Sequence, residues 1–307
     1  MVKVFLLIVV GLAGDPEHGA LFHKWGTTLA EASERLGVAP ERLVYLVDEP
    51  AAGDKKVTGK ATRDEIAKAF DTFAKQAAPE DMVLITLFGH GSFDGRMPKF
   101  NLPGPDMGPA DFAAQFRKLP TKQIVFVDTS SSSGPFVEEL SAPGRTIITA
   151  TRNGAEQYAT LFGGYFVEAL TSDAADADKN KRISILEAFQ YAKTEVERAY
   201  KQEGLLATEH AMLDDDGDKQ GSQTPAATGK DGKVAAVLSL GSTESDGLPT
   251  DPKVRALYVE RREMERRVEA LRLLKESMDP ARYTSELEKL VTGIALKTRE
   301  IRAAEGK

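Results

Sequence analysis

Residues 123 to 136 read QIVFVDTSSSSGPF, an apolar run followed by a turn of small residues that closes with Gly134. The apolar half has the composition of a buried β-strand. A second apolar run upstream, MVLITLF at residues 82–88, ends in Gly89-His90-Gly91. In open α/β sheets, ligands and catalytic groups lie where parallel strands end. The two strand ends therefore predict a shared cleft that contains His90 and the serine-rich turn.

Apolar runs of strand length alternate with helical patterns through the first two thirds of the chain. Strands are predicted at residues 4–10, 42–47, 82–88, 124–127 and 145–149, and helices at residues 20–36, 109–119, 156–170 and 184–203, with another that opens at Thr62. Such alternation predicts an α/β fold whose mostly parallel sheet is flanked by helices. Residues 1–213 are assigned to this domain, and residues 214–250 to an acidic, glycine-rich loop region with one edge strand.

The composition excludes several classes of protein. The chain has 307 residues, a formal net charge of -7 and no cysteine. A nucleic-acid-binding protein normally carries a basic surplus, which this chain lacks. The absence of cysteine excludes disulfides, thiolate catalysis and cysteine-based zinc sites. No apolar stretch is long enough to cross a bilayer, so no transmembrane segment is expected.

The first residues, MVKVFLLIVVGLAG, fit two interpretations. A lysine followed by an apolar run is typical of a signal peptide. The run is short, however, and it leads directly into a glycine-rich turn and a helical pattern. The first strand of a doubly wound sheet has this arrangement, and we favour it.

The paired strand ends resemble those of the legumain and caspase-like cysteine peptidases. In these enzymes one strand ends in His-Gly, and the next ends in an acidic residue, a small residue, the nucleophilic cysteine and then x-Ser-Gly. Aligned on Ser133-Gly134, the nucleophile position holds Ser131; aligned on Asp128, it holds Ser130. We favour Ser131 and keep Ser130 as the alternative register. The resemblance covers about residues 3–200 and implies a caspase-like α/β sheet.

The resemblance also implies roles for individual residues. His90 takes the place of the catalytic histidine, Gly91 falls in the oxyanion region, and Ser131 stands where the cysteine would be. The residues that correspond to the substrate groove are Thr129, Thr149, Thr151 and Asn153. In legumains an acidic residue helps form the substrate pocket at the place of Thr129, so no side-chain preference follows from this sequence.

A serine in the cysteine position weakens the expected chemistry. A thiol is partly ionised at neutral pH, whereas a hydroxyl needs a well-placed base and commonly a third group that orients the base. Caspase-like dyads lack such a third group. The leading hypothesis is therefore a catalytically inactive peptidase-like protein that binds a peptide or protein partner in the cleft. The alternative is an active peptidase or transpeptidase that uses Ser131 with His90.

Residues 176–187 read DADKNKRISILE and follow the frame of an EF-hand calcium loop. The ligand positions hold Asp176, Asp178, Asn180, Arg182 (through its carbonyl), Ser184 and Glu187. The frame prefers glycine at the sixth position, where this chain has Lys181, so we expect weakened affinity for Ca²⁺. A solvated acidic turn that holds no ion is the other interpretation.

A weaker calcium pattern follows in DDDGDKQ, where Asp214, Asp216 and Asp218 alternate without a glutamate at the twelfth position. Carboxylate ligands favour Ca²⁺ over zinc or copper, and the ion is expected to be structural. Weak calcium sites fill mainly where calcium is abundant. The predicted location is therefore periplasmic or extracellular, with the signal segment absent from this sequence.

From Pro252 onward the pattern changes to two helices. The apolar seams are Val254, Leu257, Met264, Val268 and Leu271 before a break at residues 278–281, and Tyr283, Leu287, Leu290, Ile294 and Ile301 after it. Residues 251–307 are therefore predicted to form an antiparallel helical hairpin with coiled-coil character. The hairpin either closes the domain or forms a homo-oligomer or docking surface. A structural or assembly protein that acts through this hairpin is the third functional hypothesis.

Overall fold

The computed structural model of the chain describes residues 2–50, 54–180, 182–241, 251–273 and 278–305. Its residues group into two compact units, Met1–Gly241 and Ser242–Lys307. The first unit contains the sheet and the candidate site. It includes residues 214–241, so most of the segment assigned to loops folds together with the α/β region.

Eleven strands and six α-helices are found among the described residues of the first unit. The strands are β1 (Val4–Val10), β2 (Leu43–Val47), β3 (Gly59–Lys60), β4 (Met82–Phe88), β5 (Gly91–Phe93), β6 (Pro98–Phe100), β7 (Gln123–Asp128), β8 (Arg145–Thr149), β9 (Ile183–Ser184), β10 (Met212–Asp214) and β11 (Ser239–Leu240). The helices are α1 (Pro16–Ala32), α2 (Arg63–Gln76), α3 (Pro109–Phe116), α4 (Phe136–Leu140), α5 (Phe162–Thr171) and α6 (Ile185–Gln202).

Seven of the strands form one sheet in the order β10-β8-β7-β4-β1-β2-β3. Every neighbouring pair in this sheet is parallel except β10 with β8. Helices cover both faces of the sheet. The predicted α/β fold, a mostly parallel sheet flanked by helices, is therefore confirmed.

The central strands are covered on both faces. Leu6 and Ile8 of β1 belong to one buried cluster, together with side chains of α1, α5 and α6. Phe5 and Leu7 belong to a second buried cluster, together with side chains of α2 and α3. Successive residues of a strand point to opposite faces, so a strand covered on both sides is apolar throughout. This double burial explains why the apolar run at residues 4–10 forms a strand in the structure.

The candidate site lies where the order of the strands in the sheet reverses. Strands β1, β2 and β3 succeed one another toward one edge, whereas β4, β7 and β8 extend from the other side of β1. Crevices of open α/β sheets form at such reversals, beyond the carboxyl ends of the strands. In the register of β4 with β7, Leu87 pairs with Asp128. His90 and Ser131, which follow these two residues, therefore emerge at the same edge.

Helix α1 begins earlier than its apolar spacing predicted, at Pro16 instead of Ala20. Asp15 is the N-cap, and its side chain accepts hydrogen bonds from the backbone N–H groups of Glu17 and His18. Proline suits the first helical position because no N–H group needs a partner there. Apolar spacing missed this first turn because its residues are polar. The early start places His18 near the end of β1.

Helix α5 begins later than predicted, at Phe162 instead of Glu156. Glu156 instead forms tertiary contacts with His210. Its carboxylate accepts the backbone N–H of His210 at 3.1 Å and contacts the ring Nδ1 of His210 at 2.6 Å. The N–H groups of Leu161 and Phe162 donate to the carboxylate of Glu209 at 2.7 and 3.1 Å. A carboxylate from a distant part of the chain therefore caps α5, and no local capping pattern marks its start.

Residues 214–241 contain little regular structure. Strand β11 pairs with β9 in a separate two-stranded sheet, and the edge strand of the large sheet on this side is β10. The carboxylate of Asp215 accepts the N–H groups of Gly232 and Ala235, each at 2.8 Å. This contact fixes the start of the apolar run at residues 234–240. The remainder of the predicted loop region, residues 242–250, lies outside the described residues.

The second unit contains two helices, α7 (Pro252–Leu273) and α8 (Pro280–Ala304). The hydroxyl of Tyr258 donates to Glu305 at 2.7 Å, and the ammonium of Lys297 pairs with Glu260 at 2.6 Å. Residues early in α7 thus contact residues late in α8 or just beyond it, so the two helices are antiparallel. Within the described part of the chain, no helix is long and apolar enough to cross a membrane.

The role of Glu209 as a distant cap of α5 can be tested by measuring the free energy of unfolding at different pH values. Glu209 is 4% exposed, and its burial raises its pKa from 4.5 to about 7, with a smaller contribution from Glu156. Because the folded-state pKa is the higher one, deprotonation opposes folding. The free energy of unfolding of the wild type relative to Glu209→Gln should fall as pH rises from about 4.5 to about 7, by up to roughly 3 kcal/mol.

Urea unfolding of both proteins across this pH range measures the difference. Glu203→Gln, at the exposed end of α6, is the matched control and should differ from the wild type by the same amount at every pH. A pH-independent difference between the wild type and Glu209→Gln would contradict the assigned role of the buried carboxyl group.

Candidate active site

His90 is held in the cleft by contacts with the segment that follows β1. Its backbone N–H donates to the Leu12 carbonyl at 3.3 Å. The rings of His18 and Phe22 pack against the His90 ring, with centroids 4.9 and 5.2 Å away. Burial, followed by the charge of His18, lowers the pKa of His90 below its ordinary value. Neutral imidazole is therefore the favoured form in the cleft.

The hydroxyl of Ser131, the favoured nucleophile position, is bonded to the backbone of Gly91. Ser131 Oγ donates to the Gly91 carbonyl at 3.2 Å and accepts from the Gly91 N–H at 3.3 Å. Ser131 itself is 3% exposed. Backbone N–H groups are the usual donors to an oxyanion. The N–H of Gly91, the predicted oxyanion-region residue, therefore already has a partner within the protein.

Ser130, the alternative nucleophile position, is turned toward the carboxyl group of Asp128. Its Oγ and its backbone N–H donate to Asp128 Oδ1 at 2.6 and 2.9 Å. The other oxygen, Asp128 Oδ2, has no hydrogen-bond partner among the described residues. Complete burial raises the pKa of Asp128 to about 6. The acid of the alternative register is therefore part of the turn and does not face a substrate groove.

The next serine of the turn is also bonded within the protein. Ser132 has a left-handed backbone with a φ of 58°. Its N–H donates to the Glu156 carbonyl at 2.8 Å, and its hydroxyl donates to the Gly154 carbonyl at 3.1 Å. Within the part of the chain that the structure describes, no hydrogen bond joins the ring of His90 to a hydroxyl of this turn.

Three of the four residues expected to line a substrate groove are buried. The hydroxyls of Thr129 and Thr149 donate to backbone carbonyls at 2.7 and 2.9 Å. The hydroxyl of Thr151 accepts a backbone N–H of the serine turn at 2.9 Å. Asn153 is exposed. The three threonines therefore fix the backbone of the site, and Asn153 is the member of this set whose side chain reaches solvent.

Asp15 and His18 also lie at the cleft, although no role was assigned to them from the sequence. His18 Nδ1 is 2.6 Å from Asp15 Oδ2, and the His18 ring meets the His90 ring edge to face. The local signal was an acidic N-cap followed three residues later by a histidine, which places both side chains on one face of a helix. Their proximity to His90 depends on the sheet and could not be read from local spacing.

Residues 60–214, about half of the 307-residue chain, match the Peptidase C13 family. The chain belongs to the Peptidase C13 family. A solved structure that is similar to it is a secreted C11 cysteine protease from Bacteroides thetaiotaomicron in complex with an irreversible peptide inhibitor, at 16% sequence identity and a TM-score of 0.37. The alignment covers 64% of this chain and 60% of that protease, less than two thirds of its length. No curated protein matches the sequence.

Membership of the Peptidase C13 family confirms the resemblance to the legumain and caspase-like peptidases. The matched residues include His90, Gly91 and the whole serine turn, and they end at Asp214. They begin at Lys60, after β1, α1 and β2. Asp15 and His18 therefore lie outside the part of the chain that the family match covers.

In this Peptidase C13 chain, the predicted calcium loop brings three carboxylates together. One oxygen each from Asp176, Asp178 and Glu187 lies within 4.8 Å of the others. The N–H of Asn180 donates to Asp176 Oδ1 and to Asp178 Oδ1, both at 3.0 Å. The hydrogen bonds from the loop's own N–H group hold the carboxylates of Asp176 and Asp178 in place.

The other predicted ligands of this loop are bonded to their neighbours. Asn180 Oδ1 accepts the N–H of Arg182 at 2.8 Å. The hydroxyl of Ser184 donates to Glu187 at 2.7 Å, as part of the capping box at the start of α6. Lys181, which departs from the calcium frame, lies outside the described residues. The carboxylates are thus the groups best placed to bind a cation.

The second acidic loop has a different ligand set from the one predicted. Asp214 and Asp216 lie within 4.8 Å of Asp231, which the sequence pattern did not include. Asp218 forms an ion pair with Lys230 instead, and the Lys230 ammonium is also 3.9 Å from Asp216. A lysine at this distance competes with a cation for the same carboxylates, so this cluster is the less suited of the two to bind calcium.

A side chain at position 91 tests how closely the two strand ends approach each other. A Cβ added to Gly91 would lie 2.1 Å from the Ser131 carbonyl oxygen and 2.8 Å from Ser130 Oγ. Because the nearest obstacle is backbone, Gly91→Ala should displace the serine turn and lower the free energy of unfolding by about 2 kcal/mol or more. Urea unfolding measures this loss.

Gly19→Ala on α1 is the control, since its added Cβ would meet only Ala13 Cβ at 3.6 Å. In a helix this substitution should be neutral or stabilising by up to about 1 kcal/mol. Equal stability of the two variants would show that the strand ends are not in close contact.

Proposed function

We propose that this Peptidase C13 family protein is catalytically inactive and binds a peptide or protein partner in the cleft beside His90 and Ser131. The observation that carries the proposal is the pair of hydrogen bonds between the Ser131 hydroxyl and the Gly91 backbone. These bonds occupy the hydroxyl that would attack a substrate. They also occupy the N–H that would stabilise the resulting oxyanion.

Proton transfer gives further support. A serine nucleophile must give its proton to a base within hydrogen-bond reach. The ring of His90 packs against His18 and Phe22, and among the described residues it forms no hydrogen bond with a hydroxyl of the serine turn. Ser130 has an acceptor in Asp128, but the two residues are 1% and 0% exposed. A peptide carbonyl could reach Ser130 only if the turn opened, so this pair is poorly suited to catalysis.

The segment between β8 and α5 is suited to hold a partner. Asn153 is exposed, and Tyr158 and Leu161 are 72% and 39% exposed. The backbone beneath them is fixed, because Glu156 bonds to His210 and its carbonyl accepts the N–H of Ser132. A fixed backbone that presents aromatic and apolar side chains loses little conformational entropy on binding, which favours recognition of a peptide.

Turnover and binding are tested on one peptide set. A diverse fluorogenic peptide library is incubated with the wild type and with Ser131→Ala, Ser131→Cys, Ser130→Ala and Ser130→Cys. We expect no turnover by the wild type. Turnover that appears only in a cysteine variant would show that the cleft is intact and that only the nucleophile is missing. Wild-type turnover that disappears in Ser131→Ala would overturn the proposal and establish a serine peptidase or transpeptidase that uses His90.

Binding is measured by fluorescence anisotropy with the same peptides. Asn153→Ala and Tyr158→Ala should each weaken the tightest peptide about tenfold, a typical loss for a contact residue. Lys122→Ala, exposed at the opposite end of β7, should leave the affinity unchanged. If no peptide binds, the cleft hypothesis fails. The assembly role of residues 251–307 would then remain, and deleting them should change the oligomeric state.

We propose in addition that Ca²⁺ binds the loop at residues 176–187 and stabilises the start of α6. The proximity of the Asp176, Asp178 and Glu187 oxygens supports this site. Glu187 supports it further, because the same carboxylate takes part in the capping box of α6. Hard oxygen ligands favour Ca²⁺ over softer transition metals. An ion here would connect the loop directly to the stability of the helix.

Calcium binding should appear as thermal stabilisation. Calcium at about a hundredfold excess over its dissociation constant should add roughly 2.7 kcal/mol of stability compared with chelator. Asp178→Asn removes one ligand charge and should weaken calcium about tenfold or more. Asp173→Asn, an equal charge change on an exposed residue just before the loop, should melt like the wild type in both conditions. Absence of any calcium effect on the wild type would contradict the site.

A further inference from the structure

We propose that Asp15, His18 and His90 form a binding site for a transition-metal ion of the zinc class. A ring nitrogen of each histidine and a carboxylate oxygen of Asp15 lie within 4.8 Å of one another. Around one tetrahedral zinc ion, ligand atoms about 2.0–2.1 Å from the metal are about 3.3 Å apart. Side-chain rotations would therefore have to bring the three atoms closer together around one ion.

Separate elements fix the three side chains before any ion arrives. Asp15 and His18 are one turn apart at the start of α1, where the Asp15 carboxylate accepts the backbone N–H of His18 at 2.9 Å. His90 comes from the loop after β4, and its backbone N–H donates to the Leu12 carbonyl. The site is therefore built by the parallel packing of β1 beside β4, and the ligand backbones need not be reorganised on binding.

The His90 ring is held by the two rings that pack against it. The His18 ring meets it edge to face at 4.9 Å between centroids, and the Phe22 ring meets it edge to face at 5.2 Å. These contacts restrict rotation of the His90 ring and keep its nitrogens close to those of His18.

The donor set selects the class of metal. Two imidazoles with one carboxylate suit zinc and related transition metals, whereas Ca²⁺ and Mg²⁺ prefer all-oxygen ligands. Three protein ligands leave a fourth position for water or for a donor atom of a bound molecule. The side chains of His18 and Asp15 are 33% and 48% exposed, so an ion can enter from solvent.

The other two histidines provide internal controls. His23 Nε2 pairs with Asp48 at 2.7 Å, and His210 Nδ1 pairs with Glu156 at 2.6 Å. Neither belongs to a group of three candidate ligands among the described residues, and the two remaining groups contain carboxylates alone. A zinc ion that requires two imidazoles is therefore expected at His18 and His90 and not at the acidic loops.

This inference goes beyond the proposed function, because it requires neither a peptide nor the serine turn. Metal binding would engage the imidazole of His90, which a peptidase dyad would use as its base. It would leave the hydrogen bonds of Ser131 with Gly91 unchanged. Metal affinity and peptide affinity can therefore be measured separately, and either proposal can fail alone.

The test is a zinc titration against a chromophoric chelator, with calcium present at saturating concentration to fill the acidic loops. The wild type should bind one Zn²⁺ per chain. His18→Ala and His90→Ala should each weaken binding about a hundredfold or more, because each removes a direct ligand. His23→Ala, which removes a carboxylate-paired histidine from the same helix, should bind like the wild type.

Two further measurements separate lost ligation from lost folding. Asp15→Asn keeps a good N-cap for α1 but removes the ligand charge, so it should melt nearly like the wild type while zinc affinity falls about tenfold. In NMR spectra of the four histidine imidazoles, zinc should shift the signals of His18 and His90 and leave those of His23 and His210 unchanged. Zinc binding that survives His18→Ala, or that falls equally in His23→Ala, would overturn the proposal.

Discussion

The close approach of the Gly91 backbone to Ser131 is the contact on which the site depends. The parallel register of β4 with β7 delivers both residues to one edge of the sheet. At this edge, two hydrogen bonds join the Ser131 hydroxyl to the carbonyl and the N–H of Gly91. The absence of a Cβ at position 91 is what permits this distance. This geometry would place a nucleophile beside an oxyanion donor. In this chain it joins the Ser131 hydroxyl and the Gly91 N–H to each other.

Buried carboxyl groups organise the loops around this contact. Asp128 accepts two hydrogen bonds from Ser130, Glu209 accepts the first N–H groups of α5, and Glu156 fixes the segment between β8 and α5. Burial raises the pKa of Asp128 to about 6 and that of Glu209 to about 7. Desolvation thus costs stability, and backbone N–H donors offset part of that cost. Non-helical backbone at the cleft is thereby held by one local carboxyl group, that of Asp128, and by contacts of Glu209 and Glu156 with distant segments.

The sequence was sufficient to predict the sheet and to place the segment after β4 beside the serine turn, where Gly91 contacts Ser131. Apolar runs identified the main parallel strands, and parallel strands must end at one edge. The sequence was insufficient to predict contacts between residues that lie far apart along the chain. The start of α5 depends on Glu209, and the neighbour of His90 in the cleft is His18. Local periodicity carries no information about either contact, because both arise only after the helices pack on the sheet.

A hydroxyl and a thiol in this turn would have different consequences for the rest of the cleft. A thiolate would compete for a cation and would bind soft metals itself, whereas a serine hydroxyl bonded to Gly91 offers no such ligand. A ring nitrogen of His90 lies within 4.8 Å of a ring nitrogen of His18 and a carboxylate oxygen of Asp15. In an active cysteine enzyme, a metal ion held by the dyad histidine would block proton transfer. This chain has no cysteine, so the proposed partner-binding surface and the proposed metal site would not meet this conflict.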